Sequence, residues 1–236
     1  MKQNSFISVI LTVACSLMFV ACSDWTEPTP VDYNPIFPDE QAPSLHEKYE
    51  QSLKEYKNRK HTLMLICFAN NPGTTLGEQD FLRSLPDSVD FVVLTNADNL
   101  SVYDKEDISK LKRTGTKFLY YKNLSEFYDQ CEETENLEEF KTKMNAALKN
   151  GESDEFDGYY VQFGRAGSMM HVDFFNEVTT AIREKLAAIG GPKANNGKLV
   201  FFDGIVTFTV DYSGRYEEPF IDLVDYFVDG QIVLLE

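Results

Sequence analysis

Within Phe156-Asp157-Gly158-Tyr159-Tyr160-Val161-Gln162-Phe163-Gly164, the run 158–163 reads as a strand with two different faces. Successive strand side chains point to opposite sides, so Tyr159, Val161 and Phe163 share one face while Tyr160, Gln162 and Gly164 share the other. Working outward, five more short runs rich in Val, Ile, Phe, Tyr and Leu stand at 62–69, 89–95, 117–121, 199–206 and 224–234, with segments of helical period between them. That alternation predicts βα units and a parallel sheet. Val172, Phe175, Val178, Ile182, Leu186 and Ile189 form one helical stripe, stopped by Gly190-Gly191-Pro192. Leu137, Phe140, Met144 and Leu148 form another, with Glu135, Glu138 and Glu139 at its positive end and Lys149 at its negative end. Two stretches have capping-box spacing, Ser44-Leu45-His46-Glu47 and Thr75-Leu76-Gly77-Glu78. The first predicts the start of a helix, behind which Leu45, Tyr49, Leu53 and Tyr56 recur at helical intervals. The second predicts a helical segment ended by Pro86.

Six units fit either a doubly wound sheet or a barrel two units short of eight, and the pattern does not choose. The turn after the first run, Asn70-Asn71-Pro72-Gly73-Thr74-Thr75, offers no dinucleotide fingerprint, which weakens the doubly wound reading. Lys and Arg number 22 against 38 Asp and Glu, and the formal charge of −16 repels phosphate backbones and anionic lipid headgroups. Nucleic acid is therefore excluded as an expected partner. The chain starts with Lys2, an apolar run from Phe6 to Ala14, and Leu17-Met18-Phe19-Val20-Ala21 before Cys22. This resembles a bacterial lipoprotein signal, with cleavage before Cys22 and acyl chains on its thiol. The flank Ser23-Asp24-Trp25-Thr26-Glu27 resembles those that direct lipoproteins to the outer cell surface. Attachment to the membrane then rests on lipid alone. The expected domains are a signal peptide over 1–21, a Pro-rich tether over 22–43 and a folded domain over 44–236. Cys15 leaves with the signal, and Cys67 and Cys131 are in unrelated contexts, so no disulfide framework is expected.

The 156–164 stretch also resembles the fourth barrel strand of glycoside hydrolase family 18, which carries D-G-x-D-x-D-x-E. Glu55-Tyr56-Lys57, the stretch Leu85-Pro86-Asp87-Ser88-Val89-Asp90-Phe91-Val92, Gly115-Thr116-Lys117, Leu199 to Gly204 and Asp225-Tyr226-Phe227 extend the likeness over 44–236. It is closest to lipoprotein members that accompany glycan importers of the SusC/SusD type. The resemblance implies an α/β fold, a (β/α)8 TIM barrel that is incomplete here, with about six βα units, because residues for the last two are lacking. A truncated reading frame is one expectation that follows. Asp157 and Gly158 match the motif, but Tyr160, Gln162 and Gly164 stand where the family has two aspartates and the glutamate acid. The family uses the substrate's acetamido oxygen as nucleophile and its glutamate as proton donor. Glycine donates no proton, and losing general acid catalysis costs about 10²–10⁴-fold in rate.

The resemblance thus implies a binding protein for N-acetylglucosamine-containing glycans with no catalytic residue at the family position. Asp157, Tyr160, Gln162 and Asp203 are its candidate sugar contacts. Each has a plainer alternative: Tyr160 as core packing, Gln162 as a partner for a neighbour's backbone, Asp203-Gly204 as a turn. Two rival expectations remain, a hydrolase using a displaced acid with Asp203 as first suspect, and a remnant that binds nothing. Tyr120 and Tyr121 must face opposite ways, and only the inward one can meet a ligand. No cofactor or metal is expected, since His46, His61 and His171 lack ligand spacing and read as surface histidines. Ser168 and His171 do not read as a nucleophile and base.

Overall fold

In the computed structural model, residues 43–71, 73–74, 77–165, 170–205, 216 and 218–228 are described. Cys22, the tether, Ser168, and the ends predicted for the fifth and sixth runs lie outside the described residues.

Helix α1 (Pro43–Lys57) precedes strand β1 (Leu65–Phe68). Strand β2 (Phe91–Leu94), helix α2 (Val102–Arg113) and strand β3 (Lys117–Asn123) come next. Two helices, α3 (Ser125–Cys131) and α4 (Leu137–Lys149), lead to β4 (Gly158–Phe163). Helix α5 (Val172–Ile189) leads through a short turn of helix to β5 (Leu199–Gly204), and β6 (Tyr226–Val228) follows. The fourth strand has the bounds its alternation predicts, whereas β1 and β2 are shorter than their apolar runs. The expected helix after Gly77 is two 3₁₀ turns instead, Glu78–Asp80 and Leu82–Ser84. There Asp80 accepts from the Gly77 N–H at 3.1 Å and closes the first turn early.

All neighbouring strands are parallel and the order is β1-β2-β3-β4-β5-β6, without the reversal of a doubly wound sheet. Right-handed crossovers then place the helices on one face. The sheet is also curled. Strands lie about 4.8 Å apart, so β2 and β5 would be roughly 14 Å apart in a flat sheet. Yet the rings of Phe91 and Phe201 meet at 4.9 Å, and Phe91 and Tyr226 at 5.6 Å, across the concave side. Six strands with an outer helical layer therefore make a half-barrel, the incomplete form of the expected TIM architecture.

Alternation sorts the side chains into two cores. Tyr159, Val161 and Phe163 join the helices, with Val178, Ile182 and Leu186 of α5 and Phe140, Met144 and Leu148 of α4 fully or almost fully buried against them. Burial of each such aliphatic side chain contributes about 1.5–3 kcal/mol. The concave core holds Phe91, Val93, Leu119, Tyr160 and Phe201, with Cys67, Tyr121 and Tyr226 at its margin. Gly158 permits the close approach of β4 to β5, because a Cβ there would stand 2.2 Å from the Leu199 carbonyl oxygen.

Helix α1 forms where its spacing predicts, but it buries little apolar surface. Leu45, Tyr49 and Tyr56 are exposed, and the helix is held by polar contacts: Glu50 to Arg113 (3.1 Å), Lys57 to Thr116 (2.8 Å) and the Tyr49 hydroxyl to Asp87 (2.7 Å). His61 is likewise no surface residue. Its ring is buried between the Arg59 carbonyl (2.7 Å) and Asp90 (2.8 Å), and these two hydrogen bonds raise its pKa. His171 pairs with Glu135 at 2.9 Å. Among the described residues Cys67 is half-buried and Cys131 buried, both as free thiols. Among the described residues no helix is long and apolar enough to cross a membrane, and no group of His, Cys, Asp or Glu is placed to hold a metal ion.

Candidate functional site at the strand ends

Strand register puts Asn123, Gln162, Asp203 and Val228 in one row at the carboxyl ends of β3 to β6. Beneath it lies a row of rings, Tyr121, Tyr160, Phe201 and Tyr226. Tyr160 lies 6.1 Å from Tyr121 and 6.4 Å from Phe201, and Phe201 stacks on Tyr226 at 4.3 Å. In barrels of this type the loops and side chains at this end form the functional face.

The upper row is a hydrogen-bonded chain. Tyr121 donates its hydroxyl to Gln162 Oε1 at 2.7 Å, and Gln162 Nε2 donates to Asp203 Oδ2 at 3.0 Å. The Gln162 amide is thereby oriented, with one N–H left to offer. Asp203 is 5 % exposed, so its carboxylate is held inside the concavity rather than in a surface turn. Burial and the charges of Asp203 and Glu126 push the Tyr121 hydroxyl up to about 12. Burial and Asp203 push the Cys67 thiol up to about 11, which keeps it a neutral, unreactive thiol.

Tyr160 is the odd member. It is fully buried, and burial first, then Asp203, raises its pKa, yet its hydroxyl has no hydrogen-bond partner of acceptable geometry among the described residues. At Gly164 the end of the strand meets open space among the described residues, since a Cβ added there finds none of their atoms within 4 Å. Its N–H donates to Ser125 Oγ at 3.1 Å.

Three of the four candidates therefore converge: Tyr160, Gln162 and Asp203. Asp157 does not join them. It precedes β4 at the amino end of the sheet, where it accepts from the Phe118 N–H at 2.8 Å and pairs with Lys112 at 3.2 Å. A match to a motif thus marks a strand clamp. Of the tyrosine pair, Tyr121 is the inward one, whereas the Tyr120 hydroxyl lies among the helices, 2.5 Å from Asp98 and 2.8 Å from the Ala147 carbonyl. Cys67 and Glu126 carried no signal in the sequence. A lone strand cysteine and a lone helical glutamate acquire a role only through neighbours remote in the chain.

Around this site, two loops are stiffened by asparagines. Asn96 accepts no slack: its N–H donates to Asn70 Oδ1 (3.0 Å), and Asn70 Nδ2 donates to the Asn96 carbonyl (3.0 Å). These bonds join the turns after β1 and β2. Two surface grooves, one between α4 and α5 and one beside α2, lie on the helical exterior, away from the strand ends.

Comparison with known proteins agrees with this architecture. The family model described as glycoside hydrolase family 18, BT1044-like, matches residues 26–183. A glutamate-to-glutamine variant of BT1044, labelled with selenomethionine, superposes with a TM-score of 0.51 at 18% identity, covering 80% of this chain and 63% of that one. An endo-β-N-acetylglucosaminidase from Cordyceps militaris, solved in apo form, superposes with a TM-score of 0.50 at 18% identity, covering 70% of this chain and 55% of that one. This chain thus spans less than two thirds of either structure. No curated protein matches the sequence. A parallel half-barrel whose polar row crowns the carboxyl ends of its strands defines a protein of the family 18 hydrolase fold. The chain belongs to glycoside hydrolase family 18, in its BT1044-like branch.

Proposed function

We propose that this protein is a membrane-anchored lipoprotein that binds N-acetylglucosamine-containing glycans without hydrolysing them. The observation that carries the reading is the pairing of a retained polar row, Tyr121-Gln162-Asp203, with a glycine that leaves open space at position 164. A sugar needs oriented donors and acceptors over an apolar or aromatic surface, and both are present. Hydrolysis needs a proton for the departing oxygen, and Gly164 has no side chain to carry one. Asp203 is a poor substitute as the acid, because it accepts from Gln162 and is held as an acceptor. Membership of family 18 supports the class of ligand, and the name of the Cordyceps militaris relative supports the sugar.

Anchoring rests on the signal before Cys22, and the acidic residues after it support the outer face of the outer membrane. A lipid-held glycan binder at that surface would serve a SusC/SusD-type importer by raising the local concentration of its cargo. The deciding experiment presents the purified mature chain with N-acetylglucosamine oligomers and N-glycans, and records both retention on immobilised glycan and release of sugar. Retention without products is expected. Products above the buffer control would make the protein an enzyme, with Asp203→Asn as the next variant, and neither signal would remove the glycan from the reading.

A further inference from the structure

His61 stands where α1 hands over to β1, and both of its ring nitrogens face oxygens that act as acceptors. Nδ1 lies 2.7 Å from the Arg59 carbonyl oxygen, and Nε2 lies 2.8 Å from Asp90 Oδ1. A neutral imidazole has one N–H and one lone pair, so it serves one acceptor and turns a lone pair on the other. Only the imidazolium donates to both. The extra proton of the pair belongs on the ring, because imidazole is a stronger base than carboxylate. Asp90 completes the joint by accepting from the Met64 N–H at 2.8 Å, just before β1 begins.

The surroundings suit a positive charge here. The ring lies 4.6 Å from that of Tyr56, in the last turn of α1, and just beyond the end of that helix, where the dipole favours a cation. Lys57 opposes it by charge, while its own Nζ is 2.8 Å from Thr116 Oγ1. Asp87 accepts from Tyr49 and acts by charge on Lys57, and the Arg59 guanidinium faces Glu55 at 3.6 Å. Thr62, Leu63 and Met64, which lead into β1, carry no charge. The bonds to Arg59 and Asp90 outweigh Lys57, so the pKa of His61 stands above its ordinary 6.5. Helix α1 leaves Tyr49 and Tyr56 exposed, so polar attachments of this kind carry much of its docking.

We propose that His61 is a pH-operated clasp: as an imidazolium it ties the end of α1 to Asp90 at the foot of β2, and its deprotonation frees α1 to open while the half-barrel stays folded. The clasp is fully closed below pH 6.5 and opens as pH rises through the higher value of the folded protein. Loss of the proton leaves a lone pair facing either a carbonyl or a carboxylate oxygen, removes the charge beside the helix end, and takes the cation from the Tyr56 ring. All three changes act in one direction.

Two measurements on the full chain test this. Ring nitrogen shifts, followed by NMR, should show both nitrogens of His61 protonated at pH 6.5 and one losing its proton at a midpoint above that pH. Amide hydrogen exchange, corrected for the intrinsic rate at each pH, should show protection in α1 falling roughly tenfold across the same midpoint, the fold-change of one charge-assisted hydrogen bond, with α4 and α5 unchanged. His61→Gln offers its N–H groups from a single atom and does not titrate, so its α1 should exchange at the faster rate at every pH. Both wild-type readings are made without the variant, so its failure to fold would leave the test intact. A ring that is neutral at pH 6.5, or α1 exchange that does not follow the ring midpoint, overturns the proposal. So does a pH response that persists in folded His61→Gln, which keeps His46 and His171.

Discussion

Replacing Tyr160 by Phe should stabilise the protein and weaken its binding. The hydroxyl is wholly buried beside the Asp203 carboxylate, and among the described residues no hydrogen bond of good geometry satisfies it. Burying an unsatisfied polar group costs about 1–3 kcal/mol, and Tyr160→Phe removes that group while keeping the ring between Tyr121 and Phe201. A small void in place of one oxygen returns part of the gain, so a net stabilisation of about 1 kcal/mol is expected. For a domain of this size that raises the melting temperature by about 2–4 °C. Urea titration followed by tyrosine fluorescence and far-UV dichroism would measure it, with the denaturant slope unchanged between the two proteins. In parallel, retention on N-acetylglucosamine oligomers should fall, since Tyr160 is one of the candidate sugar contacts. A variant destabilised by 1 kcal/mol or more would refute the reasoning, by revealing that the hydroxyl has a partner in the ligand-free protein.

Three other substitutions probe the fold, the pH dependence and the anchor. Gly158→Ala should prevent β4 from pairing with β5 and yield insoluble protein, because its Cβ would meet the Leu199 backbone at 2.2 Å, whereas Gly164→Ala should melt within about 0.5 kcal/mol of wild type; soluble yield and thermal melts separate the two. His61 has its pKa raised in the folded state above 6.5, so its pairing with Asp90 stabilises fully below that pH and is lost as pH rises through the folded value; stability of wild type should decline across that window more than that of His61→Gln, as followed by urea titration from pH 5.5 to 8.5. Cys22→Ala should abolish incorporation of labelled palmitate and release the protein from the membrane fraction, and continued labelling would place the anchor elsewhere.

Much of the half-barrel was legible in the chain. The alternation of Tyr159, Val161 and Phe163 with Tyr160, Gln162 and Gly164 fixed which residues share a face, because a strand has period two, while the assignment of one face to the helices and the other to the concavity came with the fold. The stripes of α4 and α5 were legible for the parallel reason in a helix. Helix α1 was legible too, but the exposure of Leu45, Tyr49 and Tyr56 was not, since apolar spacing records amphipathicity and not the surface available to bury it. The role of Asp157 also misled, because a motif match gives no hint of which end of a strand a carboxylate occupies in the finished sheet, or that Phe118 and Lys112 wait there for it.

The sequence by itself determined which residues share a strand face, the net charge of −16 that repels phosphate-rich partners, and the missing side chain at 164. Only the tertiary structure chose a half-barrel over a doubly wound sheet, since strand order is a relation between segments dozens of residues apart. It alone also joined Tyr121, Gln162 and Asp203 around one mouth. Hydrogen bonds and charges act over a few ångströms in space, and no local pattern along a chain records which distant groups folding will bring within that reach.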